Sequence, residues 1–336
     1  MEMLGTIIGL TVKSLVFVIG MFLAAAYLTL IERKFAGHVQ QRPGPLHVGF
    51  HGLLQPIADA LKVLTKEDLV PNNVDKVLFY LASLMAFVPA IMILAVIPFG
   101  EPIQIFGFEI KPYITDLNIG LILALSFGSI SIYGVIFAGW ASNSKYPMIG
   151  GLRKAAVLIG YEVALGFAMV GPIMLAGSFS LREIVYAQDG FFGAFIWYQP
   201  IAFIVILFAI LAETGRTPFD VQEAEAELVS GYNTEYSGMK FGLFPLAEWY
   251  IGTFVLSAIA VILFFGGWKG PEIFGPISPF VWFFLKVFMM FMFFLWVHWT
   301  LPRYRVDQIT EIAWKVMLPL SLLNIFITAM IILIKG

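Results

Sequence analysis

Residues 197–266 read WYQPIAFIVILFAILAETGRTPFDVQEAEAELVSGYNTEYSGMKFGLFPLAEWYIGTFVLSAIAVILFFG. The apolar runs at 197–213 and 244–266 have the length needed to cross a hydrocarbon core about 30 Å thick. Between them lie Glu213, Asp220, Glu223, Glu225, Glu227 and Glu235. A membrane hairpin that concentrates carboxylates at its turn holds charge where charge is costly. That pattern decides the fold class and marks the turn as the first place to look for function.

Working outward, six more apolar runs occur at about 4–31, 77–98, 117–140, 154–177, 279–300 and 314–334. The 336 residues are 60% hydrophobic, 16% aromatic and only 12% charged, the balance of a multi-pass membrane protein and not of two soluble domains. The expected fold is all-α: one transmembrane domain over 1–336 with about eight transmembrane helices, an acidic loop at 213–243, and no soluble unit large enough for catalysis. The opening stretch lacks the basic start and cleavage signal of a signal peptide and reads as a retained first helix. Cysteine is absent, which excludes disulfides, iron–sulfur ligation and a thiol nucleophile on this chain, so any electron carrier belongs to another. A net charge of −2 without a basic patch excludes nucleic acid as a partner.

Eight spans alternate their connections between two faces. The segments 31–76, 140–154, 213–243 and 301–315 share one face and carry fourteen of the twenty Lys and Arg residues, whereas the opposite face carries only Lys111, Arg182, Lys269 and Lys335. The positive-inside rule makes the first face cytoplasmic, or matrix, and puts both termini on the other, in an inner (cytoplasmic) membrane. On the cytoplasmic face Pro56 can open a helix with Ile57, Ala60, Leu61 and Leu64 on one side and Asp59, Lys62 and Lys66 on the other, the pattern of an amphipathic interfacial helix.

Glu162 lies eight residues into the expected span that begins near Lys154, about 12 Å deep at the helical rise. A bare carboxylate there costs about 2.5–3.5 kcal/mol on insertion scales. The plain alternative is a structural Glu bracing helices that Gly160 and Gly166 allow to approach. Glu248, about 6 Å into its span, can still reach the interface. Glu223, Glu225 and Glu227 are spaced so that, on a helix, Glu223 and Glu227 share a face; alone, such a run reads as a solvated surface. With Glu213 ending one span and Glu248 opening the next, these groups together with Glu162 read as one line from the surface to mid-membrane, the pattern of a proton relay. Moving one proton against about 150 mV requires roughly 3.5 kcal/mol, and a carboxylate pKa that changes by about 2.5 units between two states supplies as much.

Other candidates are weaker. His47 and His51 stand four apart, but Gly49 and Gly52 argue against a regular helix and no third ligand is near in sequence, so no metal site is expected. His298 reads as an interfacial packing residue. Lys13 and Lys286 lie inside spans, and Lys286 can snorkel to its nearer surface. No GxGxxG or GK[ST] loop is present, which argues against nucleotide binding by this chain.

Five stretches carry a family resemblance: ERKFAGHVQQRPGP (32–45), GLLQPIADALKVLTKE (52–67), GWASNSKYPMIGGLRKAAVLIGYE (139–162), AETGRTPFDVQEAEAELVSGYNTEYSGMKF (212–241) and PRYRVDQ (302–308). Together they resemble the H subunit of proton-pumping NADH:quinone oxidoreductase, respiratory complex I, the mitochondrial ND1 type. The resemblance implies a subunit without metal, flavin or iron–sulfur cluster that forms the membrane side of a quinone chamber, with quinone as the substrate. It implies as partners the quinone-site subunits of a peripheral arm, the iron–sulfur subunit adjoining them, small membrane subunits, antiporter-like subunits and membrane lipid.

By the same resemblance Glu213, Glu223, Glu225 and Glu227 match an acidic chamber loop. Glu162 and Glu248 match the carboxylates that begin a polar path. Arg33, Arg42, Asp59, Arg216 and Arg303 match charged positions at the quinone entrance or the arm contact. The chain departs from the family where NRVGP is usual and Leu46, His47, Val48, Gly49 and Phe50 stand instead, and where Val157 and Gly160 replace common Gln and Ser. The first departure exchanges a fixed positive charge for a His that titrates near neutrality. Rival readings are the membrane anchor of an ion-translocating hydrogenase, which need not bind quinone, a secondary transporter, which predicts inverted repeats with broken helices, and a passive scaffold, for which a buried Glu162 is unnecessary.

Overall fold

The structure, a computed structural model, describes residues 2–105, 108–190, 192–220 and 229–335. Its elements are almost entirely helical. In chain order they are α1 (Glu2–Val39), α2 (Gln55–Thr65), α3 (Lys76–Leu94), α4 (Gly120–Ala141), α5 (Lys145–Ala176), α6 (Leu181–Tyr186), α7 (Pro200–Glu213), α8 (Gly238–Phe264), α9 (Ser278–Thr300) and α10 (Val306–Ile334). A two-stranded antiparallel ribbon, β1 (Ile103–Ile105) with β2 (Phe108–Ile110), decorates the α3–α4 connection. This is an all-α polytopic fold, with seven helices among the described residues long and apolar enough to cross a membrane.

The eighth expected span differs. Residues 197–213 form a helix only from Pro200, fourteen residues and about 21 Å long, because Phe195–Trp197 make a separate tight turn and Gln199 has non-helical backbone angles. Other helices begin earlier than hydropathy predicts. Helix α5 starts at Lys145 and not near Lys154, because Pro147 falls in its first turn, where the missing N–H has no helical partner to lose, so PMIGG does not break it. Helix α8 starts at Gly238, six residues before the expected 244.

Local chemistry fixes several ends. Asp75 caps α3, its carboxylate accepting from the backbone N–H groups of Val77 and Leu78 at 3.1 and 3.3 Å. Helix α5 closes at Gly177, whose left-handed conformation (φ 70°) lets its N–H reach the Ile173 carbonyl at 2.8 Å. Helix α2 forms with Pro56 in its first turn, as its sequence predicts, and leaves Ile57, Leu61 and Leu64 exposed while Pro56 is buried. An exposed apolar stripe on a charged helix fits a membrane interface.

Helices α5 and α8 form the centre: 56% and 67% of their apolar windows are buried, against 22–39% for the other spans. Small residues make that packing possible. A Cβ on Gly134 of α4 would sit 2.5 Å from the Ala86 amide nitrogen of α3, and one on Gly139 would sit 2.7 Å from the Pro147 carbonyl and 3.3 Å from the Gly151 Cα of α5. Gly134→Val is therefore expected to destabilise by about 1–3 kcal/mol, through overpacking against backbone that cannot yield. The unfolding midpoint of the purified chain in mixed micelles measures it; an unchanged midpoint would show that α3 and α4 can separate without loss.

Candidate functional site

The carboxylates singled out by hydropathy meet where α5, α7 and α8 pack. Helix α7 ends at Glu213, which is half-buried and whose Oε2 is buried with no hydrogen-bond partner among the described residues. Glu213 lies within electrostatic range of Glu162, Lys154 and Glu248. It shares with Glu248 a cavity of about 70 Å³, lined also by Gly128 and Ser131 of α4 and by Thr214 and Gly252. A water needs about 10–15 Å³ of such space, so the cavity can be wet where two of its walls are carboxylates.

Glu248 is held on both oxygens. Lys154 of α5 donates to Oε2 at 2.7 Å and the Tyr232 hydroxyl donates to Oε1 at 3.0 Å. The pair is sealed: the side chains are 3% and 9% exposed. Glu248, which sequence spacing left free to reach the interface, is thus turned inward, because α8 begins ten residues before it and the ammonium of α5 stands opposite. Its backbone lies in a π-helical turn, Leu246–Gly252, a wider coil that often marks functional positions.

Tyr232 reaches Glu248 because α5 lacks a side chain at Gly150. A Cβ there would lie 2.9 Å from the backbone of Gly231 and Tyr232, so only glycine lets the short turn Gly231–Asn233 lie against the helix. Tyr236 anchors the same connection, stacked on Phe79 at 4.0 Å, with its hydroxyl donating to the Phe79 carbonyl at 3.2 Å. Burial raises the phenol above its usual pKa, so it remains a donor.

Glu162 accepts a hydrogen bond from the Ser129 hydroxyl of α4, and the same hydroxyl is 3.2 Å from the Leu125 carbonyl. One hydroxyl proton serves one acceptor at a time. An ionised Glu162 takes that proton; a protonated Glu162 can donate to Ser129 instead, which frees the hydroxyl for Leu125.

Arg216 is 2% exposed and forks onto Glu32 of α1, with Nη1 and Nη2 donating at 2.9 and 3.1 Å. Nη2 also donates to the Trp249 carbonyl at 2.9 Å, inside the π turn, and the guanidinium lies 5.8 Å from the Phe291 ring centre of α9. Arg216 therefore ties α1, α8 and α9 to the loop after α7. The next residue, Thr217, donates its backbone N–H to His298 Nδ1 at 3.1 Å, which gives that histidine a polar partner and not only a packing role.

The other charged candidates are partly or fully exposed. Arg33 pairs with Asp59 of α2 at 2.5 Å, with both side chains partly exposed. Arg42 is exposed and donates to Gln40 at 2.7 Å. Arg303 is exposed in the α9–α10 connection. Glu223, Glu225 and Glu227 lie outside the described residues. His47 and His51 are exposed, with His51 at φ 50°, and no metal-holding cluster occurs among the described residues.

A profile of the NADH dehydrogenase family matches residues 12–329. The chain belongs to that family. The H subunit of the NADH-quinone oxidoreductase of Aquifex aeolicus (strain VF5) is 57% identical over 333 residues, 99% of each chain. A second H-type chain of the same enzyme from Geobacter sulfurreducens is 52% identical over 92% of each, and one from Rhizobium meliloti is 50% identical over 90% of this chain and 91% of that one. Within the NADH dehydrogenase family the chain is thus of the H, or ND1, type.

Lys154, Tyr232, Ser129 and Glu32 escape a reading of the sequence as functional partners. Lys154 stands at the expected edge of a span and counts there as a loop charge, and its partner is 94 residues away. Only Glu32 leaves a usable signal: a carboxylate at the end of an apolar run of more than twenty residues needs a cation, and Arg216 is among the few basic residues of the acidic loop.

Proposed function

We propose that this chain is the membrane subunit of a proton-translocating NADH:quinone oxidoreductase, forming the membrane side of the quinone chamber and passing protons along its carboxylates. In this reading quinone reduction by the peripheral arm changes the charge or hydration at the acidic loop after α7. Glu213 takes up or releases a proton in response and exchanges it with Glu162 and with the Glu248–Lys154 pair. Three carboxylates and one ammonium lie within electrostatic range of Glu213 or of one another, so a change of charge at one is felt by the others. The Ser129 hydroxyl, able to turn between Glu162 and the Leu125 carbonyl, accommodates either protonation state of Glu162 without moving a heavy atom. Arg33, Asp59, Arg42 and Arg303 then serve the quinone entrance or the arm contact, and the positive-rich face is cytoplasmic.

The observation that carries this reading is the buried, unpartnered Oε2 of Glu213 on a cavity shared with Glu248. A scaffold has no use for a carboxylate left in that condition, since an unsatisfied buried group costs about 1–3 kcal/mol or more when charged. The test is to purify the native assembly through a tag on this chain. The expected result is co-purification of iron–sulfur and antiporter-like chains, with NADH oxidation that depends on added quinone and acidifies proteoliposomes. An assembly that evolves hydrogen and ignores quinone would place the chain with the hydrogenase anchors.

A further inference from the structure

Tyr232 joins the acidic loop to the buried ion pair. Its hydroxyl donates to Glu248 Oε1 at 3.0 Å, while Lys154 holds the other oxygen and its ammonium lies 6.0 Å from the centre of the Tyr232 ring. The ring is 1% exposed and stands edge-on to Phe244 of α8, with centroids 5.2 Å apart. A hydrogen bond to a carboxylate favours the charged form, so the phenol and the ammonium act on Glu248 in the same sense. They differ in where they are anchored. Lys154 belongs to α5, a helix of 32 residues, whereas Tyr232 belongs to the short turn Gly231–Asn233, just after the acidic run 223–227 in sequence.

That turn is held against its own preferences. Val229, three residues before Tyr232, has φ 64°, a left-handed conformation that a β-branched residue adopts only at a cost. Asn233, one residue after Tyr232, keeps its side-chain oxygen buried with no hydrogen-bond partner among the described residues. A turn that only closed a loop could shed both costs, since Val229 is 57% exposed. Contacts hold it instead: Gly150 lets it lie on α5, and the Tyr232 hydroxyl ties it to Glu248. Backbone strain kept in this way clusters at sites that switch.

We propose that Tyr232 is a positioning residue for proton transfer: with the turn seated on α5 its hydroxyl keeps Glu248 ionised, and when the turn lifts, Glu248 takes up a proton. A change in the acidic loop then reaches Glu248 through one side chain, without a rearrangement of the helices. This role rests on the carboxylate path proposed above, and Tyr232 itself carries no proton.

The test is proton translocation by the intact assembly in proteoliposomes, driven by NADH and quinone and followed against pH. Tyr232→Phe keeps the ring and its packing on Phe244 and removes only the donor. Losing one hydrogen bond to a charged group should move the acid limb of the profile up by about one pH unit, with turnover recovered on the alkaline side. Gly150→Ala should give the same displacement with the tyrosine present, because its Cβ would lie 2.9 Å from the backbone of Gly231 and Tyr232 and lift the turn. The double variant should be displaced no further than either single one, since both remove the same bond. A merely structural tyrosine lowers the amount of assembled enzyme and leaves the limb where it is; that result in Tyr232→Phe overturns the proposal, and so does a displacement that adds in the double variant. If Gly150→Ala does not assemble, Tyr232→Phe decides alone. Glu248→Gln separates this role from the path beneath it. When Glu248→Gln stops translocation and Tyr232→Phe leaves the profile in place, only the role of Tyr232 falls; when Glu248→Gln translocates normally, the path through Glu248 falls and the role of Tyr232 with it.

Discussion

Glu213→Gln is expected to stop quinone-linked proton translocation while leaving the chain assembled with its partners. The substitution keeps the volume and shape of the side chain but removes the only property the proposed path requires, a proton that can leave and return. Positioned proton-transfer groups contribute about 10²–10⁴-fold to the steps they serve, so coupled turnover should fall by roughly 10²-fold or more. The structure gives little reason for the fold to suffer. Oε2 makes no hydrogen bond that the amide would break, and the adjoining cavity of about 70 Å³ can admit water to solvate the new N–H donors. The measurement is acidification of proteoliposomes driven by NADH and quinone, with assembly followed by size exclusion. Glu311→Gln is the control: Glu311 is 57% exposed, pairs with Lys315 one turn on, and should pump normally. A Glu213→Gln enzyme that pumps at the wild-type rate would remove Glu213 from the path and leave the unpartnered oxygen without a purpose.

What hydropathy can and cannot reveal follows from the distances involved. Glu162, Glu213 and Glu248 are legible because a carboxylate inside or at the edge of an apolar run is a local anomaly, visible within a window of about twenty residues. The helical fold is legible for the same reason. Lys154 is not, since its meaning depends on Glu248, 94 residues further on, and on α5 beginning nine residues before hydropathy predicts. The helix starts there because Pro147 is harmless in a first turn and because Gly150 and Gly151 serve close packing against Gly231 and Gly139 instead of marking a loop. Tyr232 is hidden by the same glycine: nothing in SGYNTEYSG signals that its backbone will rest on α5. The π turn at Leu246–Gly252 has no local sequence signature either, since it arises where Arg216, from another segment, takes the Trp249 carbonyl.

Lys154→Met is expected to destabilise the protein by about 3–5 kcal/mol, because it leaves the Glu248 carboxylate buried with Tyr232 as its one remaining hydrogen-bond partner among the described residues. Glu248→Leu should be harmful for the converse reason, stranding the ammonium. Removing both charges is different. A buried pair often contributes little net stability, since the desolvation of two ions offsets their attraction, and well-packed apolar replacements can equal it. The Lys154→Met/Glu248→Leu double variant is therefore expected to recover most of the lost stability, with a coupling of about 3 kcal/mol or more in the double-mutant cycle. It should not recover proton translocation, because the path would have lost a carboxylate between Glu213 and the far side. Unfolding in mixed micelles and proteoliposome acidification separate the two effects. If the single variants are as stable as the wild type, the pair is not sealed from solvent as the 3% and 9% exposures indicate. If the double variant folds and also pumps, Glu248 is a structural partner of Lys154, and the proton leaves Glu213 by another route.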